Sequence, residues 1–583
     1  MDPIRNIIKV RVNNQDYLYQ YENAWDKEKQ RSYSKHRITV GKLVDGKVQL
    51  GRKFLANNPQ YKDIEFKFED HKLIAISDLP TVNDAGVNAV LSKTFPLNAG
   101  ASYVLKEIAQ QDGLLGDLKA VFPHQWKDLL ALAMFFVIYP ERNLVNYDII
   151  AAHSQLGGNP LDSQRISELL ESITADQRQQ YMKRRLKHSC GGENNNFWAF
   201  DTTSISSYSE TLSKVTYGHN KEDPEMPMIK IALLIDEING EPLYYKVLNG
   251  SIADVSLLRN LFVDLAQLRD KQINLVLDRG FCSEHNFLIM FRNHVGFVAG
   301  LRSDLAIAAQ TVDQLMPSLR LALPEYYSPT IGCYHATKKI DWYSATRAHG
   351  KEQYPFYIHV YYDKQREASE ILNMTELVES FKARLEKGEV PNAPYFRKFF
   401  KKKKDKQKTG KPDSIKPKDL YEFDVQSWVT FTQTCGCFVL GSSEVESAPE
   451  ALNIYRQKDT VEKAFNNYKD KCGGRRIRCR ECALEGKVFI TYLSLCLRLM
   501  LERRLERAGN DPLNTPRVLE RLNSLVLYRH ETDEKPKLYW QEIPKEDRLL
   551  MDRLRIKIPA PIFVIPNSQN IAPGFFHFDK NLS

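Results

Sequence analysis

Two short apolar runs, each closed by an aspartate, restrict the fold of this 583-residue chain more than any other feature. Phe197-Trp198-Ala199-Phe200 leads into Asp201-Thr202-Thr203-Ser204, and Ile273-Asn274-Leu275-Val276-Leu277 leads into Asp278-Arg279-Gly280. Short runs rich in aromatic and β-branched residues, closed by a polar residue or glycine, read as buried strands with the acid at the carboxyl end. Functional sites in α/β sheets gather at those ends. The expectation is an α/β fold with both aspartates on one rim of its sheet.

A third acid stands on a helical stretch, Ile454 to Lys469. At helical spacing Tyr455, Lys458, Glu462 and Lys469 share a face, beside an apolar stripe of Val461, Ala464, Phe465 and Tyr468. Arg456 faces another side. A lone carboxylate on a cationic face is ordinarily an ion-pair partner at a helix surface. Together with Asp201 and Asp278 it has a second reading: three carboxylates that hold a pair of divalent ions about 3.5–4 Å apart, the arrangement for in-line attack on a phosphodiester. Hard oxygen ligands suit Mg2+, with Mn2+ as a substitute.

These residues resemble the Asp-Asp-Glu triad and the Tyr-x2-Arg-x3-Glu-x6-Lys signature of bacterial insertion-sequence transposases, in particular insertion sequence family four. Ala199 to Ser204, Asp278-Arg279-Gly280-Phe281 and Gly486-Lys487-Val488-Phe489-Ile490 are similar to that group as well. The likeness is good over 197–300 and 427–500 and looser elsewhere. At one position the chain departs from the signature, with Lys458 where arginine is usual; lysine keeps the charge and loses the planar fork that grips phosphate bidentately.

The resemblance implies an RNase H-like catalytic core interrupted by a β-rich insertion. It implies catalysis and metal binding by Asp201, Asp278 and Glu462, with Tyr455, Lys458 and Lys469 on backbone phosphates. It also implies cut-and-paste transposition through a hairpin intermediate, on double-stranded DNA of the element ends and the target, by a homodimer in a synaptic complex.

Composition admits this reading. A hydrophobic content of 43% and a charged content of 27% are those of an ordinary soluble protein. The net charge of +9 is modestly basic, which suits a nucleic-acid partner and equally a solvated basic surface. No secretory leader is visible at Met1-Asp2-Pro3-Ile4-Arg5. The most apolar run, Leu129 to Tyr139, is too short to span a bilayer. Nine cysteines, an odd number, fit a reducing compartment better than a disulfide framework, so a cytoplasmic, nucleoid-associated protein with no membrane partner is expected.

Along the chain, 1–94 reads as β-rich, with strands near Val10, Tyr17 to Tyr21, His36 to Val40 and Lys47 to Leu50, and a turn at Asp45-Gly46. Lys27, Lys29, Arg31, Lys35 and Arg37 make its hairpin basic, either as a solvated edge or as a DNA contact. Residues 95–190 read as helical, ending in a basic helix from Ala175 to Lys187 that suits either a helix-turn-helix for DNA or a plain bundle. The core opens over 191–301 in the order βββαβα, with a hairpin at Asn239-Gly240 and a helix from Asp254 to Asp270. Asp236, ahead of that hairpin, reads as a turn residue rather than a rival ligand.

Residues 302–426 form the insertion, too long for a simple connection. It includes the strand Phe356 to Tyr362, a helix from about Glu367 to Lys387 and the run Arg397 to Lys404, which reads as a phosphate track beside aromatics or as a charged loop. The core resumes over 427–510 with Trp428 to Phe431 and Cys437 to Leu440, then the Glu462 helix and a long helix from Val488 to Arg504. Residues 511–583 show little periodicity and read as an appendage.

Cys479-x2-Cys482 lacks a second pair at zinc spacing, and Arg475 and Arg476 beside it read better as DNA-phosphate contacts. Gly473-Gly474 is not followed by Gly-Lys-Ser/Thr and is no nucleotide loop. Two other functions fit the same residues: a structure-selective nuclease, and a catalytically inactive DNA-binding protein of transposase origin.

Overall fold

The computed structural model describes residues 4–559, apart from 76–92, 190–196, most of 253–272, 344–352, 404–416, 532–535 and a few isolated positions. The chain divides into two units: Met1–Pro96, Tyr528–Trp540 and Ala560–Ser583 in one, Leu97–Leu527 and Gln541–Pro559 in the other.

In the first unit, β1 (Ile7–Val12), β2 (Gln15–Asp26), β3 (Arg31–Val44), β4 (Lys47–Leu50), β5 (Phe66–Glu69) and β6 (Lys72–Ala75) form an antiparallel sheet in chain order. Ile7, Leu18, Val40, Phe54, Phe66 and Leu73 close a small core on it. The expected turn at Asp45-Gly46 lies outside the described residues. Strand β7 (Thr94–Asn98) follows.

The second unit begins with α1 (Gly100–Gln111), α2 (Leu114–Val121), α3 (Trp126–Ile138), α4 (Ser163–Glu171) and α5 (Ala175–Ser189). The apolar run of the sequence is α3, buried from Leu129 to Val137. No helix among the described residues is long and apolar enough to cross a membrane. The basic helix α5 is not simply a solvated face. Arg184 and Arg185 both pair with Asp117, Arg185 also reaches Glu241, and Arg178 lies 3.5 Å from Glu485. Three of its five cations are therefore spent on internal ion pairs.

The main sheet is built from β8 (Phe197–Ser206), β9 (Met228–Asp236), β10 (Glu241–Asn249), β11 (Ile273–Leu277), β12 (Val295–Leu301), β13 (Tyr327–Ser328), β14 (Cys333–Tyr343) and β15 (Gln353–Tyr362). After the small hairpin of β16 (Phe400–Lys402) and β17 (Tyr421–Phe423), β18 (Cys437–Ser442) completes it, in the order β10-β9-β8-β11-β12-β18-β15-β14-β13. Only β8, β11 and β12 run parallel; every other neighbour is antiparallel. Strands β9, β11 and β12 are buried throughout, as expected of strands covered on both faces. The crossover from β11 to β12 uses α6 (Glu284–Arg292), capped by the Ser283 hydroxyl. The helix expected over Asp254 to Asp270 falls mostly outside the described residues, and its described positions 258, 261, 262 and 264 are helical.

The sheet continues into the segment set apart in the sequence as an insertion, since β15 pairs with β18 over six residues and β14 pairs with β15 over ten. That segment also holds helices over Ala306–Arg320 and Pro417–Leu420, α7 (Lys364–Glu386), α8 (Pro394–Phe399) and the β16–β17 hairpin. Trp428 to Phe431, expected where the core resumes, is part of α9 (Val425–Thr434), outside the main sheet. The aromatics explain the error: Trp428 and Phe431, three apart on a helix, pack on Phe399 and leave the main sheet alone.

Next come α10 (Ala448–Arg456) and α11 (Asp459–Asn466), then α12 (Leu484–Arg507), which packs on β10, α1, α3 and α4. The segment expected to lack periodicity beyond 510 holds α13 (Thr515–Asn523), β19 (Val526–His530), β20 (Lys537–Trp540) and α14 (Lys545–Arg553). Residues 560–583 lie outside the described ones.

Candidate active site

The parallel strands β8 and β11 pair in register from Phe197↔Asn274 to Phe200↔Leu277. Asp201 and Asp278 each follow the last paired residue of this register. Asp278 ends its strand as expected, with an extended backbone and a carboxylate that accepts from the Arg279 amide at 2.8 Å. Asp201 does not end its strand, because antiparallel pairing with β9 carries β8 on to Ser206. It marks instead the place where β8 parts from β11. Its Oδ1 accepts from the Thr202 amide at 2.7 Å.

The Glu462 stretch is not one helix. Helix α10 ends at Arg456, Gln457 and Lys458 turn, and α11 starts at Asp459. No glycine or proline marks the break, and the apolar spacing runs through it, so the pattern reads as continuous. The turn nonetheless keeps Tyr455, Lys458 and Glu462 together. Lys458 Nζ lies 3.3 Å from Asp278 Oδ1 and 3.8 Å from Glu462 Oε1. The Tyr455 hydroxyl donates to Asp278 Oδ1 at 3.2 Å. Arg456 points elsewhere, to the Ile331 carbonyl at 2.8 Å.

Burial alone would raise the Asp278 carboxyl; the charge of Lys458 and hydrogen bonds from the Arg279 amide, Lys458 and Tyr455 outweigh it and hold it below the usual carboxylate range. Burial, and then the Asp278 charge, push the Tyr455 phenol well up, so it stays a donor. The Lys458 side chain is only 11% exposed whereas Glu462 is 61% exposed. One end of this arrangement is therefore fixed and the other open to a ligand.

Gly300 on β12 makes room for the phenol: a Cβ there would stand 2.7 Å from the Tyr455 oxygen. Sequence reasoning passed over this residue, because a glycine inside a strand does not reveal what approaches it.

The remaining cations differ in their surroundings. Lys469 is half-buried in a π-helical turn, Asn467–Lys471, beyond α11. Arg475 is engaged by Asp470 at 2.5 Å, and Arg476 stacks over the exposed ring of Tyr208 at 5.3 Å. Asp236 is buried and accepts from the Ile238 and Asn239 amides, as a turn residue does.

Among the described residues no three His, Cys, Asp or Glu side chains converge closely enough to hold a metal ion. The donor set still suits a hard divalent cation, since its members are oxygen acids and two of them already face one positive charge, the Lys458 ammonium.

The family model described as transposase DDE domain matches residues 196–497, a span that holds Asp201, Asp278 and Glu462. No curated protein matches the chain. Among solved structures, the cryo-EM structure of a piggyBac transposase synaptic complex with hairpin DNA is similar at 11% identity over 72% of this chain and 70% of that one, with a TM-score of 0.31, a loose likeness.

Proposed function

Since the chain belongs to the transposase DDE-domain family, we propose that it is a cut-and-paste transposase of the insertion sequence family four group. It cleaves transposon ends and joins them to target DNA. The observation that carries this reading is the geometry around Asp278, where two acids share one cation while Asp201 follows the last β8 residue paired with β11. The three parallel strands with an antiparallel arm fit an RNase H-like core, with 302–426 as its insertion, 1–94 and 95–190 ahead of it and 511–583 as an appendage. A homodimer on paired DNA ends and a nucleoid-associated, cytoplasmic setting belong to the same reading.

Asp201, Asp278 and Glu462 would hold two Mg2+ ions, or Mn2+ in their place. Such ions supply Lewis-acid stabilisation of the phosphate and a nucleophile at neutral pH. The chain's own part is positional. Arg279 and Tyr455 orient the Asp278 carboxylate, and Gly300 admits the phenol. Lys458 would meet the phosphate, where positive charge offsets the charge that develops in the transition state. Lys469, Arg475 and Arg476 would line the DNA backbone. Strand cleavage, hairpin formation by the freed 3′ hydroxyl, reopening and attack on target would follow in that order.

The test uses duplexes taken from the DNA flanking the gene. Asp201→Ala is expected to abolish Mg2+-dependent strand cleavage and to leave duplex binding measurable; cleavage at the wild-type rate would remove the proposal. A strand-transfer assay separates a transposase from a nuclease that only cuts.

A further inference from the structure

The longest hairpin of the chain extends beyond the sheet that carries it. In the first unit, β1 covers β2 only over Gln15–Gln20, and β4 covers β3 only over Gly41–Val44. Tyr21 still donates its amide to the Asn6 carbonyl; beyond it, among the described residues, β2 and β3 pair with each other alone, from Glu22↔His36 out to Asp26↔Arg31. The hydrophobic core stops at the same place: Leu18 and Val40 are fully buried, whereas Trp25 is 64% exposed, Tyr33 49% and Ile38 54%. Five residues at roughly 3.4 Å each make an arm of about 17 Å. A two-stranded ribbon on its own is marginal in water, and bare edges are commonly blunted by shortness or bulges. This one is long and carries exposed aromatic surface, as contact surfaces do.

The arm belongs to a basic stretch. Residues 7–50 hold nine Lys and Arg against five Asp and Glu, a net +4 within a chain of net +9. Lys29, Arg31 and Arg37 are exposed on the arm, with Glu22 also exposed on it. The Arg37 guanidinium lies 3.9 Å over the Tyr19 ring at the base. By contrast, the basic helix α5 commits Arg178, Arg184 and Arg185 to internal ion pairs. The major groove of B-form DNA, about 12 Å wide and about 8.5 Å deep, admits a two-stranded ribbon, and an arm of about 17 Å reaches its floor. Register shifts at Leu18/Tyr19 and Glu22/Asn23 mark bulges, which increase the twist a ribbon needs to follow a groove.

We infer that the β2–β3 arm is a duplex-DNA reading element that lies in the major groove, with Arg31 and Arg37 on the flanking phosphates and Trp25 at the groove. The reading of the chain as a transposase supplies the choice of DNA as partner, while the assay measures binding alone and so fails independently of the catalytic proposal.

The probe is a fluorescein-labelled 30-base-pair duplex from the DNA flanking the gene, titrated by anisotropy with full-length protein across a salt series. Each phosphate contact adds about 0.9 to the slope of log affinity against log salt. Arg31→Gln with Arg37→Gln is expected to lower that slope by about two. DNA is expected to quench tryptophan emission in wild type and not in Trp25→Phe, a readout that holds even where the arginine variant is poorly folded. An unchanged slope with unchanged quenching overturns the inference. So does sedimentation showing that the arm variants lose self-association while their DNA slope stays at wild type, which would assign the arm to a second copy of this chain.

Discussion

Lys458 stands where a metal ion would be expected to draw its ligands, 3.3 Å from Asp278 and 3.8 Å from Glu462. Removing that ammonium leaves the two acids without a counter-charge, so Lys458→Met is expected to tighten Mn2+ binding by about tenfold, or ~1.4 kcal/mol, while slowing DNA cleavage. Counting free Mn2+ by electron paramagnetic resonance checks this, and an unchanged affinity would contradict the shared-cation account. A second residue, Glu237, is 7% exposed and has no hydrogen-bond partner for either carboxyl oxygen among the described residues. Burial, and then the adjacent Asp236 charge, push it up to about 8 from the ordinary 4.5. The fold therefore holds a proton that the unfolded chain releases; this contribution is complete below pH 4.5 and is lost as the pH rises through 8. Glu237→Gln is expected to melt close to wild type at pH 5 and several degrees higher at pH 8, a difference on the order of 4 kcal/mol; equal melting at both would refute it. Asp201 and Asp278 were legible because an acid after an apolar run is a local signal. Gly300 and Glu237 were not, since their roles depend on what other strands and helices bring beside them.

At the scale of elements, strands and helices with clean periodicity were legible, and their interruptions were not. Ile454 to Lys469 keeps helical spacing across the turn at Gln457-Lys458, so one helix was expected where α10 and α11 stand. Trp428 to Phe431 has strand-like composition, but an aromatic cluster with Phe399 and Phe423 holds it as helix, a tertiary effect that composition does not carry. Helix α12 shows how closely the elements are fitted. A Cβ on Gly486 would run into the Leu170 carbonyl at the end of α4, so only glycine lets the two helices approach. Gly486→Ala is expected to cost about 1–3 kcal/mol as overpacking, seen as a lower urea midpoint; an unshifted midpoint would show that the contact yields freely.

For the whole molecule, the sequence shows an α/β chain with acids at a sheet rim, but the extent of the sheet was hidden. The pairing of β15 with β18 joins residues across a long stretch of helices, and nothing local announces it. The same holds for the division into two units, because Tyr528–Trp540 belongs with the first hundred residues. What the architecture accomplishes is to bring Asp201, Asp278 and the α10–α11 turn, far apart in the chain, to one rim. The most direct test of that claim is metal-directed cleavage of the polypeptide. With Fe2+ in place of Mg2+, ascorbate and peroxide should cut the chain at three places, next to residues 201, 278 and 462, and excess Mg2+ should suppress all three cuts together. Cuts at one of these places alone, or at none, would contradict a shared metal site.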